Sequence, residues 1–275
     1  MKDEQCVRFL QWALPQLRMR WPGFRKVRGQ VCKHLDQRIR DLGLAGVEDY
    51  QAYLGAHADE WGHLDPLCRI TISRFYRDKG VFAELAQDVL PALLHRVQKR
   101  GDRVLRIWSA GCGSGEEPYT LALIWTMEFQ TRFPDMTIDI VATDADPGMI
   151  RRARAARYEF SSLKELPEDW RNRAFSRAGD IYCLNPEYRR DIRFLMQDIR
   201  QQQPEGPFDL VLCRNLVFTY FDDALQLQIV RHMISGMHGS AVLVLGVHEH
   251  LPEGAQGLVV WSDKHRIYRK SSTTT

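Results

Sequence analysis

WSAGCGSGEEPY, residues 108–119, joins an apolar run (VLRIWSA, 104–110) to a helix-length apolar run (TLALIWTM, 120–127). Between them stand Gly111, Gly113 and Gly115, with Pro118 placed where the first turn of a helix accepts proline. Glycines let a backbone turn sharply and approach a ligand closely, so Gly111 and Gly113 are candidate ligand contacts. The pattern is strand, glycine turn, helix. In open α/β sheets a ligand sits at such a strand end, near the switch in strand order.

Downstream, short apolar runs recur at 138–142, 192–196, 210–213 and 241–245, most of them separated by helix-length segments. That alternation predicts an α/β protein with a Rossmann-like parallel sheet and crossover helices. Between 158 and 190 the rhythm breaks into a polar, aromatic-bearing segment, an insertion of helix and short β structure at the sheet's carboxyl edge. The polar tail 271–275 is expected to fray.

Upstream the chain reads as helices only. The predicted organisation is an all-helical domain over 1–78, a linking helix over 79–100 and a nucleotide-binding domain over 101–275. Val27, Val31, Leu35 and Ile39 stand four apart and give one apolar helix face, opposite basic residues that include Arg25, Lys26, Arg28, Lys33, Arg38 and Arg40. Residues 47–54 (VEDYQAYL) suggest another helix.

A hydrophobic share of 44% with 27% charged residues fits a globular chain of 275 residues, and its net charge of +3 is too small to imply nucleic acid. No apolar stretch approaches the roughly 20 residues a bilayer crossing needs, and no cleavable leader is expected at the amino end. Six cysteines, Cys6, Cys32, Cys68, Cys112, Cys183 and Cys213, show no metal-ligand spacing and no disulfide framework. A reducing cytoplasm is the expected setting. The late histidines His232, His238, His248 and His250 have no paired nucleophile, and no metal is expected.

The acids after the glycine turn select the ligand. The spacing is GxGxG followed by Glu116 and Glu117, and a pyrophosphate at that helix end would be repelled by them. A sulfonium-bearing amino acid would be attracted, which predicts S-adenosylmethionine. Asp144, ending the second strand with Asp146 beyond it, offers a carboxylate for both ribose hydroxyls. Gln197, Asp198 and Ile199 offer an acceptor and an apolar wall for an adenine edge. After the fourth strand the chain reads RNLVFTYF, without the Pro-Pro-aromatic signature of enzymes that methylate amino groups of bases.

Taken together, RIRDLGL, DYQAYL, ISRFYRD, WSAGCGSGEEPY, ATDAD with IRRARAARY, and CRNLVFTYFD resemble the CheR family of chemotaxis receptor methyltransferases over nearly the whole chain. The resemblance implies a class I methyltransferase fold and protein-glutamate O-methyltransferase activity, with S-adenosylhomocysteine as product. It implies cofactor contacts at Thr71, Ser73, Arg77, Glu117, Asp144, Asp198, Ile199, Arg214 and Asn215. Arg77 would lie over the methyl donor and Tyr220 would face the acceptor, as the two catalytic candidates. The basic helix would dock on an acidic helical receptor, with no nucleic acid bound and no membrane insertion.

Three features depart from that family. RNLVFTYF has one residue more between Asn215 and Tyr220 than the usual RNxxxYF. The late GHSE-like turn reads Gly246-Val247-His248-Glu249. The insertion is expected to lack the compact glycine-turn hairpin with which some members hold a receptor-tail peptide. Two other functions therefore stay open: methylation of a different carboxylate, and a catalytically silent cofactor-binding module. A glutamate acceptor is already ionised at pH 7 and requires no strong base. Positioning would dominate, and well-oriented reactants gain about 7–11 kcal/mol.

Overall fold

A computed structural model describes residues 1–271; of the tail expected to fray, 272–275 lie outside the described residues. The chain divides into two compact units, one of Met1–Thr71 with Thr219–Gln226, the other of Ile72–Phe218 with Leu227–Thr275.

The first unit is helical: α1 (Asp3–Gln16), α2 (Trp21–Phe24), α3 (Arg28–Asp41), α4 (Val47–Ala56) and α5 (Glu60–Leu67). Helix α3 forms where the four-residue spacing places it. Val31 and Leu35 are wholly buried and Ile39 nearly so, while Lys33 and Arg40 stay exposed. Val27 immediately precedes the helix and is only half-buried. Under this face Glu60, 3% exposed, accepts Arg38 Nε at 2.9 Å, Arg38 Nη2 at 2.6 Å and the Tyr50 hydroxyl at 2.8 Å. The Arg38 guanidinium holds the Glu60 carboxyl below its ordinary range against the opposing pull of burial.

The expectation that the cysteines form no disulfide is corrected in this unit. Cys6 of α1 and Cys32 of α3 are bonded, with Cα atoms 5.9 Å apart. They lie 26 residues apart in sequence, and the packing of α1 on α3 brings them together, which no spacing rule encodes. Cys68, Cys112 and Cys213 are free and buried, and Cys183 is free and half-buried.

The second unit is built on a seven-stranded sheet. Its strands are β1 (Val104–Ala110), β2 (Thr137–Asp144), β6 (Ile192–Met196), β7 (Phe208–Cys213), β8 (Met237–Leu245), β9 (Leu258–Ser262) and β10 (Ile267–Lys270). The order is β6-β2-β1-β7-β8-β10-β9, parallel from β6 to β8 and antiparallel beyond. Each of the five apolar runs read as strands is one. All seven positions of β1 pair with β2, from Val104 opposite Thr137 to Ala110 opposite Thr143. The connection from β1 runs to β2 on one side, whereas β7 on its other side is reached from β6, so the strand order reverses beside β1. At such a point open α/β sheets place a ligand beyond the carboxyl ends of the strands. Helices α6 (Lys79–Glu84) and α7 (Leu90–Lys99) precede β1, and helices α8 (Glu116–Ile124) and α9 (Pro147–Ala155) follow β1 and β2.

The insertion forms a second sheet of β3 (Arg157–Glu159), β4 (Phe175–Ala178) and β5 (Ile181–Leu184) in the order β3-β5-β4, with the helices Phe160–Leu163 and Glu168–Ala174. It contains a glycine-turn hairpin, contrary to expectation: Ala178 pairs with Ile181 across Gly179-Asp180, and Gly179 has φ +64°. Four-residue strands that leave Ser176, Arg177 and Ala178 exposed carry almost no alternating apolar signal, which hides the hairpin in sequence. Among the described residues no helix is long and apolar enough to cross a membrane.

Candidate functional site

The glycine turn after β1 is held from below by the next strand. Gly111 and Cys112 both donate their N–H to the Thr143 carbonyl, at 2.8 and 2.9 Å. Gly111 and Gly115 take φ of +73° and +93°, where side chains are strained. A Cβ on Gly111 would lie 2.6 Å from Leu216 Cδ2, and one on Gly115 2.9 Å from the Tyr119 ring. Asp144 then fastens the turn: its Oδ2 accepts from Gly113 N at 2.9 Å and its Oδ1 from Asp146 N at 2.9 Å. The two strand-end acids thus separate, for Asp146 caps α9 by accepting from Gly148 N and Met149 N. Asp144 alone faces the turn.

Glu116 and Glu117 separate too. Glu117 accepts the Ser109 hydroxyl at 2.8 Å and Arg214 Nη1 at 3.1 Å. Arg214 is 7% exposed and lies between two carboxylates, since its Nη2 donates to Asp78 Oδ2 at 2.6 Å and to the Arg77 carbonyl at 3.0 Å. Its guanidinium carbon also stands 5.1 Å from the centre of the Phe82 ring. Glu116 is 4% exposed, and burial pushes its carboxyl above the usual range although a Ser73 hydrogen bond opposes this. Glu117 is thus the acid paired with a cation beside the turn, while Glu116 is buried behind it.

Among the other predicted residues, Asp198 is gripped by its neighbour Arg200, whose Nη2 donates at 2.6 Å and whose backbone N–H at 3.0 Å. Ile199 is buried, and Gln197 carries a buried Oε1 with no hydrogen-bond partner among the described residues. The Arg77 guanidinium donates to the Ile72 carbonyl at 2.5 Å. Thr71 is the exposed last residue of the first unit's longer segment, whereas Ser73 and Arg77 belong to the second unit. Tyr220 belongs to the first: its carbonyl accepts from Arg20 N at 2.8 Å and its ring centre lies 5.1 Å from that of Phe24.

Asn215 follows Arg214 with φ +57°, and its N–H donates to Glu249 Oε2 at 2.7 Å. Asp78, Ser109, Thr143 and Glu249 are the residues that sequence reasoning left out of the site. ISRFYRD and GVHE contain two of them, but nothing in either motif names the arginine or the backbone N–H that each would meet.

This arrangement has relatives. Residues 71–266 match the family described as CheR methyltransferase, SAM binding domain. The chain belongs to this family. It is a methyltransferase that uses S-adenosylmethionine. A chemotaxis protein methyltransferase of Listeria monocytogenes is 37% identical over 185 residues, covering 67% of each chain. A probable chemotaxis protein methyltransferase of Rhizobium etli is 32% identical and covers 80% of this chain and 84% of its own. Vibrio cholerae chemotaxis protein methyltransferase 2 is 30% identical, with 80% and 77% covered. Among solved structures, SAM-bound CalS10, an amino pentose methyltransferase, shares 21% identity over 64% of this chain and 58% of its own at a TM-score of 0.33, too distant to carry an argument.

The residues present fit the cofactor. The glycine turn leaves no room for side chains at Gly111 or Gly115, Asp144 and Glu117 supply negative charge for a cationic ligand, and Gln197 Oε1 is a buried acceptor of the kind an amino group satisfies.

Proposed function

We propose that this methyltransferase esterifies glutamate side chains of a chemotaxis receptor, the activity implied by its CheR-family motifs. The observation that carries the proposal is the ordered carboxyl edge of β1, β2 and β7, where Glu117 holds Arg214 and Asp144 holds Gly113. It is an acid-lined edge suited to a sulfonium donor. An ionised acceptor carboxylate needs no proton removed.

When bound, S-adenosylmethionine supplies an electrophilic methyl group. The chain binds and orients. Asp144 would accept the ribose hydroxyls, Asp198 and Ile199 would bound the adenine, and Gly111 and Gly113 would bring the backbone close. Glu117, Arg214 and Asn215 would hold the amino-acid portion, while Thr71, Ser73 and Arg77 would cover the site. Arg77 and Tyr220 would orient the acceptor carboxylate by charge-assisted hydrogen bonds. Arg77 would first release the Ile72 carbonyl.

The receptor would meet the basic face of α3. On α3, Arg28 is engaged by Asp3 and Arg38 by Glu60, whereas Lys33 and Arg40 are exposed, as are Arg25 and Lys26 just before the helix. These four supply the positive surface for an acidic helical partner.

Replacing Tyr220 with Phe separates orientation from binding. Methyl transfer to a receptor fragment should fall by about tenfold or more while affinity for S-adenosylhomocysteine stays near that of the parent enzyme. Unchanged turnover would remove Tyr220 from the mechanism. Arg77→Ala should abolish transfer; intact biological activity in that variant would favour a silent interaction module instead.

A further inference from the structure

At the carboxyl ends of β7 and β8 a buried acid stands outside every role assigned above. The two strands pair in parallel up to Cys213 opposite Leu245, and there the ladder stops. Beyond it the backbone N–H groups of Asn215 and Gly246 both donate to one oxygen, Glu249 Oε2, each at 2.7 Å. Glu249 closes its own turn by donating its N–H to the Gly246 carbonyl at 2.8 Å, and it is 3% exposed. The carboxylate replaces the strand partner that each N–H lacks once the ladder ends.

Asn215 is the residue this anchor holds. Its φ of +57° lies in the left-handed region, which asparagine enters more readily than other residues with a Cβ but still at a cost relative to ordinary helical or extended backbone. A fixed acceptor for its N–H holds it there. The opposite wall is Gly246, where a Cβ would stand 2.8 Å from both Asn215 Oδ1 and Glu249 Oε2. Glycine at 246 lets the asparagine amide and the carboxylate close on one backbone. Arg214 is fixed separately by Asp78 and Glu117, so the acid acts on Asn215.

We propose that Glu249 is a positioning residue, which sets the left-handed turn at Asn215 and thereby aims its side chain at the cofactor. The proposal rests on Asn215 being a cofactor contact.

Calorimetric binding of S-adenosylhomocysteine to the full chain tests it with Asn215→Ala, Glu249→Ala, Glu249→Gln and the double variant N215A/E249A. Glu249→Ala should weaken binding about tenfold or more, because two buried N–H groups lose their acceptor. Glu249→Gln, which keeps an acceptor oxygen at the same reach, should restore binding to within about threefold of the parent. The double variant should bind no more weakly than N215A, since a positioning effect vanishes with the group positioned. Normal binding by E249A, equal losses in E249A and E249Q, or additive losses in the double variant would overturn the proposal while leaving Asn215 in place. Parental binding by N215A would instead remove Asn215 as a contact, and the proposal with it. If E249A does not fold, Glu249→Asp serves, because its carboxylate is one methylene short of both N–H groups. Parental binding by E249D would also overturn the proposal.

Discussion

Burial raises the Glu116 carboxyl above its ordinary range because hydrogen bonds from its own backbone N–H and from Ser73 do not offset the loss of water. Cys112 and Tyr158 lie within its electrostatic reach, and Arg152 favours its ionised form. A carboxyl whose pKa is raised by folding contributes stability below its unfolded value near 4.3, and that contribution is lost as pH rises through the folded value. Glu116→Gln should therefore melt higher than the parent at pH 8, with the gap closing towards pH 4. A lower melting temperature for E116Q at pH 8 would contradict this. Asp144→Ala removes the acceptor of two backbone N–H groups along with the proposed ribose partner. Its affinity for S-adenosylhomocysteine should fall by about tenfold or more in a calorimetric titration. Asp144 was legible because an acid at the end of a second strand has a recognisable place. Glu249 was not, because its partners lie at Gly246 and 34 residues away at Asn215, and no periodicity links them.

Among the elements, α3 was legible from its four-residue spacing, since apolar side chains at that interval form one face. Its disulfide was not, because only the crossing of α1 and α3 brings Cys6 to Cys32. In the chain-entropy account, a bond across 26 residues stabilises by about 3.5 kcal/mol. The Cys6→Ser, Cys32→Ser double variant should melt several degrees below the oxidised parent, and reductant should lower the parent alone. Equal melting of oxidised parent and variant would show that the bridge adds nothing. The basic face has its own test at this scale. Lys33→Glu with Arg40→Glu reverses two exposed charges and touches no apolar rung of α3. Methylation of receptor should drop, and drop most at low ionic strength, while cofactor affinity holds. Unchanged methylation would place receptor docking elsewhere. The insertion shows the converse limit, since its hairpin has strands of four residues and an apolar signal too short to read.

At the level of the whole molecule, the sheet was the most legible part. Buried parallel strands are continuous apolar runs, and β1, β2, β6, β7 and β8 all stood out as such. The antiparallel strands β9 and β10 did not, because one edge strand leaves Val259 and Val260 exposed and breaks the pattern. Nor does the chain run through its units in simple order: Thr219–Gln226 returns to the helical unit after β7 and takes Tyr220 with it. Hydrophobic pattern identifies strands and helices, but which unit a late segment joins depends on tertiary contacts. The atom that receives the methyl group decides the function. Incubating the full chain with methyl-labelled S-adenosylmethionine and cytoplasmic fragments of the host's chemotaxis receptors, then treating the labelled protein with base, measures this directly. The label should appear on receptor glutamates and leave as methanol in base; base-stable label, or no transfer to any receptor of the host, would contradict it.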